Sequence, residues 1–246
     1  MTDTSLESLQ LAKTDALFLD LDGTLAEIGP DPEAIAIPSA TVADLEALAR
    51  VLDGAIVLLS GRDIRDLARR TPDFVWRAGG HGLEIVSPGG SVPAMPPAQP
   101  DTVLAPLLTV TEKIKGVWLE TKGPVAALHY RAAPAAEAQC LAAAEAASRA
   151  VPGLVFQPGK MVVEVKPAHA HKGVALQDIA GRSGFTARRP VMIGDDTTDE
   201  DAMAVAQELG GIGAKVGPGN TVAQIRAADP AAVRAWLARE ATRFTG

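Results

Sequence analysis

Ala16-Leu17-Phe18-Leu19-Asp20-Leu21-Asp22-Gly23-Thr24-Leu25 is the stretch whose reading decides the fold of this chain. Four apolar residues in a row read as a buried strand, and the run ends abruptly in two acids and a glycine. Side chains two apart on a strand point the same way, so Asp20 and Asp22 emerge together at its carboxyl end. Adjacent carboxylates repel each other unless a cation lies between them, and a hard divalent ion with oxygen ligands, such as Mg²⁺, suits that gap. Gly23 lets the backbone turn close to a ligand, and the N–H groups of the turn can face an anion. This is chemistry for phosphoryl transfer through an aspartyl-phosphate, with Asp20 as nucleophile. An Asx-rich turn after an ordinary strand would give a similar hexapeptide.

Three later segments bear on the choice. Ala55 to Leu59 is a second apolar strand, and it ends in Ser60-Gly61-Arg62 before the helix-like Asp63-Ile64-Arg65-Asp66-Leu67. A small hydroxyl and backbone amides there can hold phosphate oxygens at a helix amino end, although a plain helix cap reads the same way. His171-Lys172-Gly173 then opens a helical stretch. A lysine at a helix start opposes the helix dipole, so it is out of place unless it meets an anion, or is simply solvated. Finally Pro190-Val191-Met192-Ile193 ends in Gly194-Asp195-Asp196-Thr197-Thr198-Asp199-Glu200-Asp201. Acids crowd the end of that strand as a metal-facing cluster would, and some of them serve the helix amino end for dipole reasons alone.

In this order, strands ending in Asp-x-Asp-Gly-Thr, Ser-Gly-Arg and Gly-Asp-Asp, with a lysine helix before the last, resemble the four motifs of the haloacid dehalogenase superfamily. The resemblance implies that they converge at the carboxyl ends of a parallel sheet, where open α/β folds place their sites.

Composition sets limits. The chain has 246 residues, 47% of them hydrophobic and 22% charged, which suits a soluble protein with a sizeable core. Its net charge of −7 argues against an electrostatic footprint for nucleic acid or a membrane surface. The single cysteine, Cys140, cannot form an internal disulfide. Met1 to Thr14 carries acids without an apolar segment, so no secretory signal is expected, and no apolar run approaches the roughly 18 residues that a span requires. A cytoplasmic enzyme fits these limits.

The first and last thirds alternate between strand and helix. Val42, Leu45, Leu48, Ala49 and Leu52 follow helical spacing, Gly211 to Val216 reads as a strand, and Asp229-Pro230 caps a final helix. The middle differs. A Pro-, Gly- and Ser-rich crossing precedes a helix, two strands, an Ala-rich helix and two short strands, which suggests an α+β module inserted into the parallel-sheet core. The expected division is core over 1–86, insert over 87–166 and core again over 167–246. On the insert's strands, Trp118, Glu120 and Lys122 share a face by period two, as do Val125, Ala127, His129 and Arg131, and Lys160, Val162, Glu164 and Lys166. Acids and bases on regular faces suit recognition of a polyhydroxylated ligand, and equally suit a half-buried sheet with a solvated face.

A narrower resemblance covers about residues 16 to 240. Beside the segments above, His81-Gly82, Leu119-Glu120-Thr121-Lys122-Gly123, Ala127-Leu128-His129-Tyr130-Arg131 and Gly159-Lys160-Met161-Val162-Val163-Glu164 look like the trehalose-6-phosphate phosphatases. Resemblance to that family implies a Rossmann-like core of the haloacid dehalogenase type with an inserted α+β cap, and trehalose 6-phosphate bound between them. It implies Mg²⁺ as cofactor. Asp20 becomes nucleophile and metal ligand, and Asp22 the general acid and base whose backbone carbonyl also binds the metal. Ser60 and Lys172 hold the transferring phosphoryl group, Asp195 completes the metal site, and Asp196 or Asp199 lies near it. Gly61, Arg62, His81, Gly82, Lys122, Lys160 and Glu164 contact substrate, while His129 and Arg131 serve substrate or cap structure. The partner is a small sugar phosphate, neither nucleic acid nor membrane is involved, and a monomer is expected. A related sugar phosphatase or a phosphosugar mutase would share the core motifs. A non-enzymatic sensor would normally have lost Asp20 or Asp22, and both are present. Gly80 and Thr197 depart from the family pattern, and neither replaces a chemical group.

Overall fold

The computed structural model of the chain describes residues 4–29, 31–159 and 161–245. In chain order, β1 (Thr4–Ser5) and β2 (Asp15–Leu19) precede α1 (Ser39–Val51), β3 (Ile56–Leu59), α2 (Ile64–Arg70), β4 (Trp76–Gly79) and β5 (Glu84–Val86). There follow α3 (Asp101–Lys113), β6 (Trp118–Lys122), β7 (Val125–His129), α4 (Glu137–Arg149), β8 (Leu154–Gly159) and β9 (Val162–Pro167). The chain ends with α5 (Lys172–Ala180), β10 (Arg189–Gly194), α6 (Thr197–Glu208), β11 (Ile212–Val216), β12 (Ile225–Ala227) and α7 (Pro230–Thr245).

These elements form two compact units. One runs to Val92 and resumes at His171; the other spans Pro93–Ala170. The first is an open sheet in the order β1-β12-β11-β10-β2-β3-β4-β5, parallel throughout except for the antiparallel β4–β5 pair. Every residue of β2 and β3 is buried. That is why residues 16–19 and 56–59 read as unbroken apolar runs: a parallel sheet covered by helices on both faces has no polar side. β2 lies between β3 and β10, and their carboxyl ends deliver Asp20, Ser60 and Asp195 to one edge.

The second unit is an antiparallel sheet in the order β6-β7-β9-β8. Ala126, Leu128, Val163 and Val165 turn one face toward Val103 and Leu107 of α3 and Cys140, Ala144 and Ala147 of α4. Alanines on α4 let that helix approach the sheet closely, and Cys140 is a small apolar filler there. The opposite face carries Trp118, Glu120, Lys122, His129 and Glu164, as the strand period requires.

The insert runs over 93–170 where the sequence suggested 87–166, and hydrogen bonds give the reason. The Gly89 amide donates to the Asp73 carbonyl at 2.8 Å and the Gly90 amide to Ser87 at 2.9 Å, fastening the turn after β5 to the core. At the far end the Ala168 amide donates to Gly153 and that of Ala170 to Pro167, which keeps this stretch with the insert.

Residues 4–11, which no sequence motif marks, form a clasp. Leu6, Leu9 and Leu11 are buried. The Trp236 indole N–H donates to the Leu9 carbonyl at 2.9 Å, and the Leu11 amide donates to the buried Glu240 carboxylate at 2.9 Å. Arg243 closes on the same carboxylate at 2.7 Å. Glu240→Leu strands the buried Leu11 N–H without an acceptor, so unfolding in urea should show a loss of about 1–3 kcal/mol. An unchanged midpoint would mean that the clasp contributes nothing to stability.

Candidate active site

Asp20 is the first residue past β2, and its amide donates to the Ile193 carbonyl of β10 at 3.0 Å, which fixes it at the sheet edge. Its carboxylate is buried. Oδ1 accepts from the Lys172 ammonium at 2.7 Å. Lys172 opens α5 and is buried too, and its Nζ also donates to Asp199 Oδ1 at 2.7 Å. A lysine at the start of a helix is thus explained by two anions in front of it rather than by solvent. Asp199 in turn accepts from the amides of Asp195 and Asp196 through Oδ2 at 3.2 and 3.0 Å.

Asp20, Asp195 and Asp199 each bring one carboxylate oxygen to within 4.8 Å of the others. The sequence suggests Asp196 for that group, but in the structure its side chain acts elsewhere. Asp196 caps α6, accepting from the Thr197 amide at 2.7 Å and sharing a capping box with Asp199. The exposed Asp196 carboxylate thereby stays out of the cluster, and Asp199, three residues on, turns inward. Asp22 is likewise not one of the three.

Electrostatics follow from burial. Desolvation pushes the Asp20 carboxyl up to about 8 against the opposing pull of Lys172, with Asp199 adding to the rise. Desolvation, then the neighbouring Asp199 and Asp196, pushes Asp195 up to about 6. For Lys172 burial acts to lower the ammonium, but Asp20 and Asp199 outweigh it and the group is raised. Lys215 on β11, which belongs to none of the sequence motifs, donates to the Asp195 carbonyl and lies 3.5 Å from Glu200. Three carboxylates facing chiefly one ammonium carry surplus negative charge, which a divalent cation on oxygen ligands would neutralise. Space agrees: a Cβ on Gly23, whose φ is +79°, would stand 2.1 Å from Asp195 Oδ2. The donor set and the close backbone approach fit a metal of the Mg²⁺ kind.

Asp22 is gripped by Arg62. Nε and Nη2 of the guanidinium donate to its two oxygens at 2.6 and 2.7 Å, while Nη1 reaches Asp66 at 2.7 Å. Ser60 follows β3, its Oγ accepts from the Arg62 amide at 3.1 Å, and its carbonyl accepts from the His81 amide at 2.9 Å. Gly61 is where His81 packs, since a Cβ there would meet the imidazole at 2.7 Å, and a Cβ on Gly82 would strike Ala175 of α5 at 2.1 Å. Gly80, His81 and Gly82 all take positive φ, so the glycine at 80 suits its backbone. In this way α5 and the loops after β3 and β4 hold Asp22, Ser60, Gly61, Arg62, His81 and Gly82 together in the first unit.

The remaining candidates belong to the second unit. Glu120 pairs with Lys122 and with His129, each at 2.9 Å, and Trp118 stacks on His129 with ring centroids 4.0 Å apart. Glu164 lies 3.9 Å from Lys166. Lys160 lies outside the described residues.

Sequence comparison adds to this geometry. The trehalose-phosphatase family matches residues 18–230. The chain is 39% identical over 240 residues to the trehalose-6-phosphate phosphatase of Escherichia coli, covering 96% of this chain and 90% of the relative. The chain belongs to the trehalose-phosphatase family. A probable trehalose-phosphate phosphatase of Sinorhizobium fredii is 40% identical over 207 residues, covering 82% of this chain and 78% of that one. Among solved structures, the C-terminal domain of the trehalose-6-phosphate phosphatase of C. albicans superposes with a TM-score of 0.74 at 23% identity, over 93% of this chain and 92% of that domain. The fold is therefore that of the haloacid dehalogenase phosphatases, α/β with a parallel-sheet core and an inserted α+β unit. No helix among the described residues of this trehalose-phosphatase family member is long and apolar enough to cross a membrane.

Proposed function

We propose that the chain hydrolyses trehalose 6-phosphate to trehalose and inorganic phosphate. The observation that supports this reading best is the convergence of Asp20, Lys172, Asp195 and Asp199 at the carboxyl edge of the sheet, in a chain of this family. In the first step Asp20 attacks phosphorus, an aspartyl–phosphate bond forms, the bond from phosphorus to the sugar oxygen breaks, and Asp22 gives that oxygen its proton. In the second, water attacks the aspartyl-phosphate, Asp22 takes the water's proton, and phosphate leaves with Asp20 restored. Lys172 binds Asp20 Oδ1, and among the described residues Oδ2 accepts no hydrogen bond. Both Asp22 oxygens accept from Arg62, which orients the carboxyl and leaves each oxygen a further lone pair for the proton.

Asp20, Asp195 and the Asp22 carbonyl would hold Mg²⁺, which when bound supplies charge stabilisation to the phosphoryl oxygens. Ser60 and Lys172 add donors to the same oxygens, as a transition state with charge on oxygen requires. Gly61, Arg62, His81 and Gly82 contact substrate, and Lys122, Lys160 and Glu164 bind sugar hydroxyls.

Phosphate release over a panel of sugar phosphates, with and without Mg²⁺, tests the substrate. Trehalose 6-phosphate should head the panel, and turnover should vanish on chelation. Glu164→Ala and Lys122→Ala should each lower kcat/KM for trehalose 6-phosphate by roughly 5- to 150-fold, the equivalent of about 1–3 kcal/mol for an unpaired polar group. An aryl phosphate, which has no sugar hydroxyls, should be spared. Equal losses on both substrates would make these residues structural, and a different sugar phosphate at the head of the panel would replace the substrate assignment.

A further inference from the structure

A second cluster of cations lies in the first unit, apart from the residues above. Strand β4 is a row of the parallel sheet, and at its second position, where an apolar side chain belongs, it carries Arg77. Arg77 is 4% exposed. Its Nε is enclosed and has no hydrogen-bond partner, and among the described residues no carboxylate lies within ion-pair distance of the guanidinium. Burying an arginine without a counter-charge is among the most costly placements a fold can make, and a guanidinium does not escape the cost by losing its proton. Buried cations that persist are paired or face something that pairs with them.

Arg77 faces a cavity. Gly79, two residues on and on the same side of the strand, presses against Ile64 at the start of α2, so this side of β4 looks toward that helix. Between α2, β4 and the turn after β5 lies a space of about 410 Å³, lined among others by Arg65, Arg69, Arg77 and Asp73. That volume falls in the range of sites for small organic ligands, about 300–1,000 Å³. Arg65 is committed to Asp63 and Glu84, and Arg69, whose side chain is 70% exposed, meets Asp66 at 3.0 Å. Among the described residues Asp73 is the one carboxylate in the lining, against three guanidinium groups. The amides of Gly89 and Gly90 are spent on Asp73 and Ser87, so selectivity here comes from side chains.

We infer that this cavity is an anion site, built around Arg77, for a small oxyanionic metabolite carrying phosphate or carboxylate groups. The forked donors of Arg77 match either group in a two-point contact, and Arg69 has the reach to close over the bound anion from the rim. Asp73 is placed to accept from a hydroxyl or amine on the remainder of the ligand.

Calorimetric titration of the full-length chain with pyrophosphate and, separately, citrate tests the site, in low salt and without Mg²⁺. Saturable binding of at least one probe is expected. It should weaken at least tenfold in Arg77→Met, a change of similar volume, and recover in part in Arg77→Lys. The inhibition constant of inorganic phosphate in the trehalose-phosphatase assay should be the same in wild type and Arg77→Met, which separates this site from the catalytic one. Preference for pyrophosphate assigns a phosphorylated ligand, and preference for citrate a carboxylate. Should Arg77→Met fail to fold, Arg69→Ala at the rim carries the test and should weaken binding about threefold or more. The assignment is overturned if neither probe binds, or if binding is unaltered in whichever of these variants folds.

Discussion

Asp20→Asn should retain its fold and lose its turnover. The interior around Asp20 already disfavours charge, since burial pushes its carboxyl up to about 8, and asparagine is the neutral side chain of the same shape. Thermal unfolding should therefore occur within a few degrees of wild type or above it, although Lys172 keeps only Asp199 as partner. Turnover of trehalose 6-phosphate should fall by roughly 10⁴-fold or more, the scale on which loss of a covalent nucleophile is felt. A folded Asp20→Asn protein with near wild-type turnover would remove the covalent mechanism.

Lys172→Met should be the most destabilising of the site substitutions. The ammonium joins Asp20 and Asp199, both buried, at 2.7 Å each. Without it, two carboxylates face each other out of reach of solvent, and breaking a buried pair of this kind costs about 3–5 kcal/mol. Denaturant unfolding without metal should show that loss, and phosphate release should fall by roughly 10²- to 10³-fold because a donor to the phosphoryl oxygens is gone. Lys172→Met combined with Asp199→Asn should recover part of the stability and none of the turnover, because the residues share one network. Equal stability of Lys172→Met and wild type in the absence of metal would show that the lysine is not a counter-ion to the pair.

Most of the fold is legible in the chain, and the reason differs from element to element. The apolar runs within β2, β3 and β10 announce themselves because strands covered on both faces are mostly apolar, and each run ends where polar chemistry begins. β6, β7 and β9 follow from period two. β4 and β5 are not legible: Trp76-Arg77-Ala78-Gly79 has no period and carries a charge in its interior, so its strand identity comes from its neighbours in the sheet. The clasp of residues 4–11 is hidden for a related reason, since its leucines are held by partners more than two hundred residues away, such as Trp236 and Glu240.

Within the site, Asp20, Lys172 and Asp195 stand at strand ends or a helix start, where position follows from the pattern. The acids after β10 do not obey that logic. Which of Asp196 and Asp199 turns inward depends on the phase of α6, and the spacing that marks a capping box is visible only once the helix start is known. Arg62 reads as a substrate contact, whereas its grip on Asp22 joins two loops forty residues apart and leaves no local trace. Lys215 does leave one, being a lone charge in the apolar strand Ile212–Val216.

The division of the sheet between the two ends of the chain governs the order in which a ribosome can complete this protein. The insert over 93–170 is one continuous stretch, with every strand partner inside it, and its core of α3, α4 and four strands is whole as soon as residue 170 has emerged. β2 is made long before, yet one of its two edges waits for β10, which follows the insert. Through that interval an apolar strand, its backbone unsatisfied on one side, is carried on the nascent chain beside a finished neighbour. Arg189, which closes on the buried Asp15 at 2.7 Å, lies at the first residue of β10 and ends the wait in register. Residues 171–194 are thus the stretch whose emergence completes the pairing of β2.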